Sequence, residues 1–381
     1  MDDRLLVATR KGLFILDADG RGQWTMTPPH FVGEPVSMVL PDPRDGSLYA
    51  ALNLGHFGVK LHRRRAGKQE WQECAVPVYP PQPDDTARRT SGSTAGSEAN
   101  NAGAAPAEPP WSLQQIWSLE TGGADEPGVL WAGTIPGGLF RSDDGGDTWA
   151  LNRALWDRPE RHEWFGGGYD YPGIHSVMVD PRDSLHVTVG VSCGGVWQTA
   201  NGGAAWRCTA DGMQADYMPP ERLESPNIQD PHRVVHCAAQ PDVLWAQHHC
   251  AIFRSTDGAA RWQRIEAQPS SFGFAVAAHP REPDTAWFVP AVKDECRIPV
   301  DGRFVVTRTR DGGRTFEHFS QGLPSAPAYD LVYRHGLAVD ASGERLAMGS
   351  TTGALWTSDD AGESWRCISA HLPPIYCVRF G

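Results

Sequence analysis

The residues able to do chemistry fall into a few short runs. Asp230-Pro-His-Arg233 and Gln247-His-His-Cys250 bring a carboxylate and three imidazoles within twenty residues or so of one another. The run from Trp164 to His175 carries three glycines, Gly166-Gly-Gly168, together with Asp170 and His175. Lys293-Asp-Glu-Cys-Arg297 adds Glu295 and Arg297, while His56, Tyr329, Arg334 and His335 stand apart. Three chemistries suit such a set. Imidazole and carboxylate suit Zn, Mn or Fe, which makes His175, His232, His248 and His249 candidate ligands for one divalent metal ion. Paired carboxylates about 5–9.5 Å apart serve glycoside hydrolysis. Asp170, Asp230 and Glu295, with His175 as a base, are the candidate catalytic groups. The third chemistry is binding alone, for which Arg233, Arg297, Arg334, His335, Tyr329 and His56 are candidates, since a guanidinium grips an anion with two hydrogen bonds. No short motif joins these residues, so the fold has to bring them together.

The elements that must do so are repeats. The run Arg141-Ser-Asp-Asp-Gly-Gly-Asp-Thr-Trp149 contains the frame Ser/Thr-x-Asp-x-Gly-x-Thr-Trp, which returns at 255–262, 309–316 and 358–365, more loosely at 199–206, and in an early copy at 17–24. A worn copy ends at Trp71. Asp and Ser/Thr fold back on a tight turn, and Gly supplies the positive φ. A repeated supersecondary unit of this length implies a radial or solenoid architecture. Each repeat reads as four short strands with turn signals between them, the all-β pattern.

This frame closely resembles the Asp-box, or BNR repeat, of the sialidase-like β-propellers. The resemblance implies that the frame joins the third and fourth strands of a blade, on the face away from the ligand, and has a structural role. Seven blades are expected in one domain spanning 1–381. The first lacks an innermost strand, and the C-terminal segment 374–380 is expected to complete it and close the ring. Closure removes the open sheet edges. The last blade is expected to start at Tyr329, with Arg334 and His335 in its innermost strand. Residues 77–110 are rich in Pro, Ser, Ala, Gly and Thr and read as a low-complexity, flexible insertion. Two other long loops, 156–172 and 211–231, carry Trp, Tyr and His and read as functional.

The repeat pattern also places most of the candidates above on one face, formed by the inter-blade loops and the turns between second and third strands, with Arg334 and His335 expected to line the axial channel. The resemblance points to a hydrolase or lyase acting on a small polar or anionic substrate such as a sugar. The alternative is a non-catalytic scaffold that holds a peptide or protein on the same face. A true exo-sialidase is disfavoured. Sialidases have six blades, and their Arg-Ile-Pro element precedes the first Asp-box, whereas Arg297-Ile-Pro299 follows five frames here. The formal charge of −12 argues against a nucleic-acid partner. There is no apolar run of membrane-spanning length and no signal-like start, and the eight cysteines lack framework spacing, so a cytoplasmic protein is expected.

Overall fold

The computed structural model describes residues 4–20, 22–80 and 112–381. Among them are seven four-stranded antiparallel sheets, each made of strands consecutive in sequence except the first. That first sheet takes its innermost strand, Ile375–Phe380, from the C-terminus, paired with Arg4–Thr9. The innermost strands of the next six blades are Val36–Pro41, Gln115–Thr121, Ile174–Asp180, Pro231–Cys237, Gly273–Ala278 and Leu337–Val339. Each lies against the innermost strands of its two neighbours, which closes a ring. The result is the seven-bladed propeller with C-terminal closure expected from the repeats.

The core sits between blades. Trp131, Trp197, Trp245, Trp287 and Trp356 are wholly or almost wholly buried there. In the repeated hairpin, Ser142 Oγ donates to Asp144 Oδ1 and accepts from the Gly146 amide, both at 2.8 Å. Asp144 in turn accepts from the amide and hydroxyl of Thr148. Thr309, Asp311 and Thr315 repeat this set, as do Ser358, Asp360 and Ser364. Gly146 sits at φ +93, a conformation few other residues adopt. The hairpin tryptophans also tie blades together: Trp149 Nε1 donates to Ala75 O and Trp262 Nε1 to Thr209 O, each in the preceding blade.

One strand boundary differs from the sequence reading. The last blade's innermost strand is Leu337–Val339, and residues 329–336 form a loop across the mouth of the ring. The Gly336 amide turns back onto Tyr333 O at 2.7 Å, and Asp330 accepts hydrogen bonds from Ser350 and Thr352. These contacts divert the backbone from the ladder and turn Arg334 and His335 inward. Of the expected insertion, residues 81–110 lie outside the described residues. Tyr79 belongs to the packed protein: it is buried, bonds to Thr134 Oγ1 and Pro136 O, and packs on Phe140 and Trp156. No helix among the described residues is long and apolar enough to cross a membrane.

Candidate functional site

The starts of the inner strands shape the site. In six of the seven, a register shift leaves extra residues out of the ladder: Ser37, Trp117, His175, His232, the Phe274–Ala275 pair, and Tyr376. Bulges re-aim side chains next to sites. Ser37, Trp117, His232, Phe274 and Tyr376 line a cavity of about 1220 Å³ at the mouth of the axial channel. The loops and turns of the same face complete it with Asn53, Phe57, Tyr169, Cys193, Tyr217, His249 and Arg297.

On one wall Asp230 is buried between two imidazoles. Its Oδ2 lies 3.5 Å from His232 Nε2 and 3.4 Å from His249 Nδ1. Its Oδ1 accepts from the Cys193 amide at 3.1 Å and from Ser192 Oγ at 3.4 Å. His232 Nδ1 bonds to Gly273 O at 2.6 Å, which fixes the ring. Burial alone would raise the Asp230 carboxyl, but His232, His249 and the Arg334 charge together hold it well below the usual range. Burial lowers His232. In His249, burial is outweighed by the Asp230 hydrogen bond and charge, and its pKa rises. His249 is also the most open of the three, with a quarter of its side chain exposed.

Arg334 forms a second feature of the cavity. It is only 7% exposed, lies over the rings of Trp117 and Phe274 at 4.6 and 5.5 Å, and its buried Nε has no hydrogen-bond partner. A buried donor without a partner is costly. Here it borders a cavity able to admit an acceptor.

The other predicted residues are distributed unevenly. His335 lines the floor, donating from Nε2 to His175 O at 2.8 Å. Arg297 lines the wall, held by Asp294 through Nε at 3.0 Å and Nη2 at 2.5 Å. Glu295 is on the rim, highly exposed and 3.5 Å from Lys293. His175 is fully buried below the cavity, edge-on to Trp117, with Nε2 unpartnered. His248 stands outside the Asp230 cluster. Both of its ring nitrogens face backbone amides, of Asp230 and Cys250, and burial lowers its pKa to about 3. The four-histidine set is therefore not assembled, because two of its rings are committed to the backbone or the channel floor. Arg233 points to the other mouth, where it donates to His175 O and borders a separate cavity with Glu120 and Arg379. Arg233, Arg297 and Arg334 accordingly do not form a three-arginine cluster. Asp170, Tyr329 and His56 are exposed and do not line the cavity.

Trp117, Phe274, Tyr217 and Glu34 were not singled out from the sequence, yet all line the cavity. The first two hold the bulge position, the residue following Val36, Ile116, Ile174, Pro231, Gly273 and Ile375 at six of the inner-strand starts.

No family model matches the chain. It is 25% identical over 288 residues to a probable oligoxyloglucan-reducing end-specific xyloglucanase of Neosartorya fischeri, covering 67% of this chain and 32% of that protein. It is 25% identical over 254 residues to a xyloglucanase of a Paenibacillus species, covering 61% and 23%. The chain thus spans a third or less of these relatives. Among solved structures, an ancestral GH74 enzyme superposes with a TM-score of 0.58 at 16% identity, covering 88% of this chain and 38% of that one, a likeness in fold.

Proposed function

We propose that the chain is a glycoside hydrolase that cleaves a short saccharide bearing an anionic group, bound in the cavity at the channel mouth. The carrying observation is the Asp230–His232–His249 cluster, buried at Asp230 and His232 and open at His249, on the wall of a cavity that also holds the buried, incompletely partnered Arg334. The xyloglucanase relatives support the reaction class. The cluster is the centre that activates water. Arg334 is the anchor for the anion, and Phe57, Tyr169 and Tyr217 offer partly exposed ring faces for stacking on pyranose rings. Glu34 joins the cavity from the connection between the first two blades, three blades round the ring from Asp230.

The test is a panel of neutral aryl glycosides, uronic acid glycosides and xyloglucan oligosaccharides, followed by release of reducing ends. Hydrolysis should favour acidic members and fall by about 10²–10⁴-fold in Asp230→Asn, the usual range for losing positioned acid–base help. If panel members bind but none is cleaved, the reading fails in favour of a binding propeller.

A further inference from the structure

We propose that Asp230, His232 and His249 form a three-ligand site for a divalent transition-metal ion of the zinc type, with its remaining position open to the cavity. Asp230 Oδ2 lies 3.5 Å from His232 Nε2 and 3.4 Å from His249 Nδ1, and one ligand atom from each residue falls within 4.8 Å of the others. Ligands bonded tetrahedrally to zinc at about 2.0–2.2 Å sit about 3.3–3.6 Å apart, a range that contains the two edges from Asp230.

The hydrogen bonds favour a cation at this point. His232 uses its Nδ1 proton on Gly273 O, so Nε2 presents a lone pair. That lone pair faces a carboxylate oxygen 3.5 Å away, an arrangement that a cation placed between the two would stabilise. Metal-binding histidines are commonly anchored in this way, by donating the other ring N–H to a backbone carbonyl. Asp230 is likewise prepared: Oδ1 is occupied by the Cys193 amide and Ser192, leaving Oδ2 for the ion. His248 accepts from the Asp230 amide and fixes the backbone from behind. The bulge at His232 aims its ring into the site. Two imidazoles and one carboxylate with an open position suit an ion that activates water or polarises an oxygen. The ion's catalytic use rests on the hydrolase reading, whereas its binding does not.

The full chain, purified without an affinity tag, would be assayed by elemental mass spectrometry. It would then be stripped with chelator and titrated with Zn²⁺ in a calorimeter. Binding of about one equivalent is expected. His249→Ala should abolish it with the thermal melt of the metal-free protein unchanged, while His56→Ala binds normally. Co²⁺ loading of the wild-type chain gives an independent readout, because a site of this geometry shows intense visible d–d absorption. Less than half an equivalent after Zn²⁺ titration, or unaltered binding in His249→Ala, overturns the proposal. Turnover that survives complete metal removal overturns the ion's catalytic role alone, and bound metal without hydrolysis of any saccharide overturns the hydrolase reading alone.

Discussion

The outer hairpins and the inner-strand starts belong to the same repeats but treat their polar groups in opposite ways. In the hairpins at 142–149, 309–316 and 358–365, the frame carboxylates of Asp144, Asp311 and Asp360 are satisfied locally, by hydroxyls and amides no more than four residues away. At the strand starts, equivalent positions hold Ser37, Trp117, His175, His232, Phe274 and Tyr376, six side chains with little in common. Some of their polar atoms find partners in a neighbouring blade, as Ser37 Oγ does at Ile116 O and His232 Nδ1 at Gly273 O, and one, His175 Nε2, has none. Local satisfaction makes a part that can be copied. Divergence at one backbone position, on a scaffold already held rigid, makes a site.

If that division holds, damage to the hairpin layer should cost stability and spare the cavity. The largest effect is expected at Trp287, which is fully buried and whose Nε1 donates to Ala361 O in the next blade's hairpin at 2.8 Å. Trp287→Ala should lower the unfolding free energy by about 3–5 kcal/mol, read from denaturant melts. The folded fraction should bind saccharide as the wild type does. A large loss of ligand affinity in that fraction would break the division.

The reverse case is Arg334→Gln. Removing a buried charge whose Nε lacks a partner should leave the melting temperature within a few degrees of wild type, or raise it. Affinity for an acidic saccharide should fall by about 30-fold or more, as when one partner of a buried charge pair is lost, while affinity for a neutral analogue changes little. An equal loss for both ligands would show that Arg334 supports the cavity wall and does not select an anion.

The same division explains what could be read from sequence. The blade count and the closing strand were legible because the frame is periodic and the first repeat visibly lacked a strand. The face that carries the cavity was legible for the same reason. Its membership was not. Asp230 meets His249 across nineteen residues of chain, and Cys193, on the preceding blade, completes the carboxylate's hydrogen bonds. His248 and His249 are adjacent in sequence, yet one ring is turned to the backbone and the other to the cavity. Arg233 lies next to His232, but the strand's alternation after the bulge sends it to the opposite mouth. Such differences arise from register and from which neighbour packs behind a ring, neither of which a residue pattern encodes.

Asp311 offers a smaller and sharper test. Its carboxyl is lowered to about 2, first by the Thr315 side-chain hydrogen bond and then by the Thr315 amide, from an ordinary 3.8. Asp144 is lowered by the corresponding bonds from Thr148. A depressed folded-state pKa contributes stability that is fully present above the unfolded value and is lost as pH falls through the folded one. The hairpins should therefore weaken between about pH 4 and pH 2, with no change above pH 5 from these groups. The blade at 174–208 carries its own control. Asn201 stands at the frame's Asp position and accepts from Thr199 Oγ1 at 2.8 Å and the Ala205 amide at 2.9 Å without a titrating charge. Asp311→Asn can keep the same acceptor, so it should cost little at pH 7 and reduce the acid slope of the melt by one carboxylate's share. Asp311→Ala, which removes the acceptor, should cost about 1–2 kcal/mol at pH 7. If the two variants lose the same stability at neutral pH, the ionised carboxylate, and not an acceptor at that position, holds the hairpin.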